Sequence, residues 1–422
     1  MKHFIFPDID HDTPVDFQIQ KRIKKVFYDF VKGMPAEIGT ELPESIELKL
    51  EPTSLLSTPQ LAAIHGKRLE THVVLSKDGY LLTLHRLINP CINEGCKANL
   101  NETILLHHGL LGSSADWILL GPNKSLPYLL SNMGYDVWMI NARGNYYSRG
   151  HINMNVNDVN YWKFSWHEMG YYDLPAVLEY MKSAKSNDLS INFIGHSMGT
   201  TCFLVLLSSL SDYNKYFKMG ILLAPLSFLN NAKGPINLIP KNPTDHVLKL
   251  LGNGEFLAHR RIPTWLRRGH CTKQKMFCSN PLFFITGGAP DAVNYWENSF
   301  TARVLHHVPA GGSTNTILHY AQLVKSGKFH KFDKEDDEYE LSKITVPIAF
   351  ITSSDDWLST IPDVLRLYFS VTNPIDHYII RDKNISHTDF VWGPSANELI
   401  FEKVFFYLMN GLNYESSYFN EV

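Results

Sequence analysis

Charge is scarce in this chain. Asp, Glu, Lys and Arg make up 19% of its 422 residues and leave a net charge of −3. No basic surface for a nucleic-acid partner is expected. Apolar residues reach 44%, yet no uninterrupted apolar run attains the roughly 18–20 residues of a membrane span, so no transmembrane segment is expected. The opening residues, Met1 to Asp10, hold too short an apolar run for a signal peptide, and none is expected from this start. Internal repeats and low-complexity tracts are missing. So is any cluster of carboxylates, histidines and cysteines at metal-ligand spacing, and neither metal nor cofactor is expected. Cysteine is sparse as well. Cys91, Cys96, Cys202, Cys271 and Cys278 form two close pairs and one odd residue, a pattern that suits two local disulfides and one buried thiol. Sequons begin at Asn101, Asn123 and Asn384. With the paired cysteines they favour an exported protein.

The length suits one large domain carrying an insertion, or two domains. Residues 1–55 read as an extension whose apolar positions between Val15 and Phe30 predict an amphipathic helix. Residues 56–225 alternate apolar strands with helices. They begin with a helix at Thr58-Pro59 and a hairpin around Lys77-Asp78-Gly79, and they predict a mainly parallel sheet covered on both faces. From 226 to 340 the rhythm breaks. Proline and glycine punctuate short helical patterns without a clear strand, as in a helical cap, and the charged run Lys331 to Glu340 reads as a solvated loop. Residues 341–422 return to strands at 346–352 and 377–380 and close with a helix.

Chemistry concentrates in Ile191-Asn192-Phe193-Ile194-Gly195-His196-Ser197-Met198-Gly199-Thr200. A buried strand runs into Gly-His-Ser-Met-Gly and then into an apolar helix. This is the G-x-S-x-G turn that exposes a nucleophilic serine at the end of a strand. The glycines at 195 and 199 spare the neighbouring strand and helix a collision. Ser197 needs a base, and the base needs an orienting carboxylate. The loop after strand 377–380 offers His387, and the loop after strand 346–352 offers Asp355 and Asp356. His377 within a strand and His196 within the elbow are poorer bases. For the oxyanion, the N–H of Met198 and that of Leu110, in His108-Gly109-Leu110-Leu111, are the expected donors. His108 is expected to brace that loop.

These stretches resemble the acid lipase family, the animal gastric and lysosomal lipases and their insect relatives. Asp78-Gly79-Tyr80, Asn141-Ala142-Arg143-Gly144-Asn145, Tyr172-Asp173-Leu174-Pro175-Ala176, Pro309-Ala310-Gly311 and His387-Thr388-Asp389-Phe390-Val391-Trp392-Gly393 carry the likeness with the elbow and the His108–Leu111 loop. The resemblance implies an α/β-hydrolase fold with an inserted helical cap and lid. It also implies metal-free hydrolysis of neutral lipid esters at a lipid–water interface by a monomer that is secreted or lysosomal. Alignment of Asp356-Trp357-Leu358-Ser359-Thr360-Ile361-Pro362-Asp363-Val364 with the family's acid loop makes Asp356 the triad acid and Asp355 the fallback. The family's cap disulfide falls on Cys271 and Cys278, which stand closer together here. Glycans are expected on Asn101 and Asn123. Met198 stands where the family commonly has glutamine, a change that leaves the backbone donor intact. The alternatives are a carboxylesterase for smaller esters and a lipid-binding or storage protein on a lipase scaffold.

Overall fold

A computed structural model describes residues 56–88, 102–185, 189–238, 254–257, 298–381 and 385–411, all within the compact unit Ile46–Val422. The expected N-terminal helix, Cys91, Cys96, Cys271, Cys278, Asn101 and Asn384 lie outside the described residues.

Helix α1, Thr58–Ile64, starts with Pro59 in its first turn, where a missing N–H costs nothing. Strands β1, Leu69–Leu75, and β2, Tyr80–Leu87, pair antiparallel across a turn in which Gly79 takes φ +96°. Then come β3, Thr103–His107; β4, Asp136–Ile140; the short β5, Gly150–His151; β6, Ile191–His196; and β7, Phe217–Leu223. The sheet runs β1-β2-β4-β3-β6-β7 and is completed by strands at Ile348–Ser353 and Pro374–Ile380, with β5 beside β2. From β4 onward every pairing is parallel. Strands β3, β4 and β6 are buried at every position, as expected for a sheet covered on both faces. The chain leaves β3 for β4 on one side and returns to β6 on the other. The crevice at the carboxyl ends of β3 and β6 is therefore the switch point at which open α/β sheets hold their ligands.

Helices cover both faces. The one after β6, Met198–Ser209, is mostly apolar and buried along nearly its whole length. Cys202 on it is a free, buried thiol, as its place behind the elbow suggests. The helix ahead of β6 begins as a widened π-turn, Met169–Asp173, and continues as Leu174–Ala184. Gly170 makes the tight contact: an added Cβ would meet Val205 Cβ at 2.7 Å.

Two readings of the 226–340 stretch need correction. The charged run is a hairpin, His330–Lys331 against Lys334–Glu338. Its side chains alternate between half-buried and exposed with no apolar face, so the period of two leaves no hydrophobic signature. A second small ladder, Glu255–Phe256 with Gly312–Ser313, is likewise too short to show as an apolar run. Leu226, Phe228, Leu229, Ile236 and Phe256 are buried. Arg366 lies 3.7 Å over the Phe228 ring, and Lys233 N–H donates to the Trp357 carbonyl at 2.7 Å.

Three separated motifs meet at one buried cation. The fully buried Arg143 gives Nη1 to Asp78 at 2.6 Å and Nη2 to Asp173 at 2.5 Å, and its guanidinium lies 4.0 Å over the Tyr80 ring. Burial pushes the Asp78 carboxyl up, but Arg143 outweighs it and holds it below the usual carboxylate range. Burial lifts Asp173 to about 6 even against Arg143. Removing the cation strands a nearly inaccessible carboxylate. Arg143→Ala is accordingly expected to lower unfolding free energy by about 3–5 kcal/mol, read as a shifted urea midpoint at neutral pH. A loss below about 1 kcal/mol, the scale of a surface pair, would refute the bracket.

Candidate active site

Ser197 is the residue between β6 and its helix. It takes φ +53° and ψ −120°, a backbone state that costs a non-glycine residue about 1–3 kcal/mol. The surroundings enforce it. The Ser197 N–H donates to the Leu223 carbonyl at 3.0 Å. A Cβ on Gly199 would run into the His107 carbonyl, and one on Gly195 would lie 2.9 Å from the Thr200 nitrogen. Only glycine fits two positions before and two positions after the serine.

His387 follows the strand Pro374–Ile380, and its Nε2 accepts from the Ser197 hydroxyl at 2.7 Å. Its Nδ1–H donates to Asp356 Oδ2 at 2.8 Å. The other carboxylate oxygen of Asp356 accepts from the backbone N–H groups of Leu358 and Ser359 at 2.8 and 2.9 Å. All three side chains are buried. Asp355 is exposed one residue away and is not part of this chain of bonds. His377 is also apart, since its Nε2 pairs with Thr352 Oγ1 inside the sheet at 2.8 Å. Burial drives His196 down to about 3, so its ring is neutral and donates from Nε2 to the His387 carbonyl at 2.9 Å. The elbow therefore holds the base by its backbone as well as by its side chain. Nothing in the sequence signals this bond, because it joins residues 191 positions apart.

Leu110 lies on the loop after β3, beside the serine: a Cβ on Gly109 would sit 3.2 Å from Ser197 Cβ. His108 sets the direction of that loop. Burial takes it to about 3, and the neutral ring donates from Nδ1 to the Gly109 carbonyl at 2.7 Å. Its Nε2 accepts from the Ala142 N–H at 3.1 Å and the Asn145 amide at 3.3 Å. The Gly109 carbonyl and the Leu110 N–H share one trans peptide and point opposite ways. Fixing the carbonyl on His108 aims the N–H away from it. Met198 is the first residue of its helix, so its N–H has no intrahelical acceptor. The bracing of His108 by Asn141–Asn145 is a second link that sequence reading missed. A third is the strained Leu111, φ +59°, whose carbonyl accepts from the Ala310 N–H at 2.6 Å. Asn123 is exposed on a turn. Among the described residues no group of three or more His, Cys, Asp or Glu side chains could hold a metal ion. None of their helices is long and apolar enough to cross a membrane.

A strained serine, a histidine and a carboxylate hydrogen-bonded in series at the carboxyl ends of parallel strands are the arrangement found in ester hydrolases built on an α/β sheet. A family profile described as the alpha/beta hydrolase fold matches residues 102–394, and one described as a partial alpha/beta-hydrolase lipase region matches residues 58–121. The solved structure of a putative lipase from Acinetobacter baumannii aligns at a TM-score of 0.51 with 16% identity, over 89% of this chain and 99% of that one. It shows the fold alone. Lipase 3 of Drosophila melanogaster is 33% identical over 362 residues, 80% of this chain and 89% of the relative. Gastric triacylglycerol lipase of Rattus norvegicus is 32% identical, and human lysosomal acid lipase/cholesteryl ester hydrolase 31% identical, each over 84% of this chain and 91% of its own length. The chain belongs to the acid lipase family of α/β hydrolases and is an ester hydrolase.

Asp116 is a fully buried carboxyl at the end of the oxyanion loop, packed on Gly112, and its backbone carbonyl accepts from Trp392 Nε1 at 3.1 Å. Burial pushes it up to about 8. The folded state thus keeps a proton there between about pH 4 and 8 that the unfolded chain has released. This contribution to stability is full below about pH 4 and is lost as pH rises through about 8, at up to about 1.4 kcal/mol per pH unit. In denaturation from pH 5 to 8.5, Asp116→Asn should gain on the wild type as pH rises. Parallel stability curves would contradict a buried, proton-holding Asp116.

Proposed function

We propose that the chain hydrolyses carboxylic esters of neutral lipids, triacylglycerol or sterol ester, through an acyl-enzyme on Ser197. The observation that carries this is the unbroken series from Ser197 Oγ to His387 Nε2 at 2.7 Å and from His387 Nδ1 to Asp356 at 2.8 Å. His387 takes the serine proton as Oγ attacks the ester carbonyl. The N–H groups of Leu110 and Met198 receive the oxyanion. Asp356 holds the imidazole in the tautomer that accepts at Nε2 and stabilises the imidazolium that forms. His387 then protonates the leaving alcohol, and in the second half it draws a proton from water, which releases the fatty acid. No redox step or metal is called on. The lipid nature of the ester rests on the names of the relatives, one a triacylglycerol lipase and one a cholesteryl ester hydrolase. Their gastric and lysosomal settings support a secreted or lysosomal location, with a glycan on the exposed Asn123 and a further one on Asn101. A disulfide between Cys271 and Cys278, and a monomeric state, complete the reading.

Ser197→Ala should reduce turnover of emulsified triolein and of a soluble p-nitrophenyl ester by about three orders of magnitude or more without moving the melting temperature. Asp356→Asn should cost far more activity than Asp355→Asn. Retention of more than a few percent of turnover in Ser197→Ala removes the nucleophile assignment, and the reverse ranking of the aspartates transfers the acid role. Activity on the soluble ester with none on triolein or a cholesteryl ester would favour the smaller-ester carboxylesterase.

A further inference from the structure

Five of the ten large apolar side chains exposed among the described residues fall in one corner of the fold: Val73, Leu75, Tyr146, Ile152 and Val159. The register explains why four neighbours there make a strip. Val73 and Leu75 alternate outward along β1 while Val74 between them is buried in the core. Leu75 lies opposite Leu81 on β2, and Leu81 lies opposite Gly150 on β5. Ile152, two residues on, returns to the same face. It is fixed there by its N–H on the Gly79 carbonyl at 2.9 Å. Val73, Leu75 and Ile152 are 62%, 55% and 58% exposed, which nothing in the core requires.

This corner is tied to the active site. Arg149, next to β5, pairs with Glu255 at 2.5 Å. Glu255 stands opposite Ser313 in the small ladder, and Gly312 of the same ladder abuts Leu111 of the oxyanion loop, an added Cβ lying 3.5 Å from its side chain. The charge is one-sided as well. No acidic residue occurs between Arg143 and Asp158, the Arg149 charge is met by Glu255, and Lys77 stands exposed at the hairpin tip. Asp78 beside it is taken up by Arg143.

We propose that the strip Val73–Leu75–Leu81–Ile152 is a docking surface for the lipid–water interface, seating the enzyme on its insoluble substrate apart from the catalytic cleft. The proposal rests on the lipid-ester reading above. The apolar side chains enter the lipid, and the exposed Lys77 meets the fatty-acid carboxylates that hydrolysis leaves at the surface. Patch and product are complementary in charge, so binding strengthens as the surface becomes anionic.

The test is flotation with triolein droplets coated by phosphatidylcholine and a minor share of oleic acid. Leu75→Ser/Ile152→Ser should bind about tenfold less than wild type, and its triolein hydrolysis should fall in step. Turnover of a soluble butyrate ester and the melting temperature should stay unchanged. Val73→Ser alone should show a smaller loss of the same kind, which covers a failure of the double variant to fold. Phe369→Ser, at a still more exposed apolar site on the helix Ile361–Ser370, should bind as wild type does. Unchanged binding in Leu75→Ser/Ile152→Ser, or an equal loss in Phe369→Ser, overturns the proposal. So does a wild-type dimer in sedimentation velocity that the double substitution disperses, since the strip would then meet a second copy. Flotation of Ser197→Ala separates the two readings. If the wild type hydrolyses no ester, the functional reading fails, while droplet binding by Ser197→Ala still reports on the strip.

Discussion

The backbone of Ser197 is the constraint around which the rest is arranged. A positive φ at a residue with a side chain is unfavourable by itself and persists only where neighbours over-determine it. Here the neighbours are the β7 carbonyl that takes its N–H, the β3 carbonyl against Gly199, and the close packing at Gly195. Each belongs to an element of the sheet or its helices. The sheet must be buried, parallel and in register at β3, β6 and β7 for the turn to hold. A mostly apolar helix behind the serine follows from the same need, because that helix has almost no solvent face to offer. Strain at one residue and burial of its surroundings are thus two descriptions of one arrangement.

Around the strained serine each polar group is held by hydrogen bonds to its side chain and, for His387, to its backbone as well. His387 is gripped twice, through Nδ1 by Asp356 and through its carbonyl by the neutral His196. Asp356 is gripped by two N–H groups of its own turn. The Gly109 peptide is turned by His108, and His108 is turned by Ala142 and Asn145. Burial keeps both His108 and His196 neutral, and neutrality gives each ring one donor and one acceptor. A protonated ring would lose the acceptor, and His108 could no longer take the Ala142 N–H. Low proton affinity in these two histidines is therefore a condition for a well-aimed site. Burial holds the proton affinity of both rings down, to about 3, and so favours the neutral forms this geometry needs.

What could be read in the sequence follows from how local each signal is. The elbow, the hairpin at Gly79 and the buried strands depend on residues within about ten positions of one another, and they stand close to where periodicity and turn chemistry place them. The loop positions of Asp356 and His387 depend only on chain order, and both loops end at the same edge of the sheet as Ser197. By contrast, the hairpin His330–Glu338 has no apolar face, so its alternation is silent. The π-turn at Met169–Asp173 is set by a contact with a helix some thirty residues later. Arg143 is visible as part of a motif, but its partners Asp78 and Asp173 are 65 and 30 residues away. Charge pairing at that range leaves no periodic trace.

The Arg143 bracket shows why such residues are invisible one at a time and necessary together. Asp78 closes the hairpin of β1 and β2, Arg143 follows β4, and Asp173 ends the π-turn that feeds the helix packed on the elbow helix. A single cation therefore sets the distance between the antiparallel edge of the sheet and the layer that supports Ser197. Apolar packing alone resists slippage of these layers weakly, because one aliphatic contact is much like the next. A buried guanidinium with its fixed fork admits one geometry. The same bracket takes up Asp78, the acidic residue nearest the exposed apolar strip, and so leaves that corner neutral to basic. The rule that fixes the inner architecture thus also sets the electrostatics of the outer surface, and a change at Arg143 would free a negative charge beside Leu75 and Ile152 as well as loosen the core.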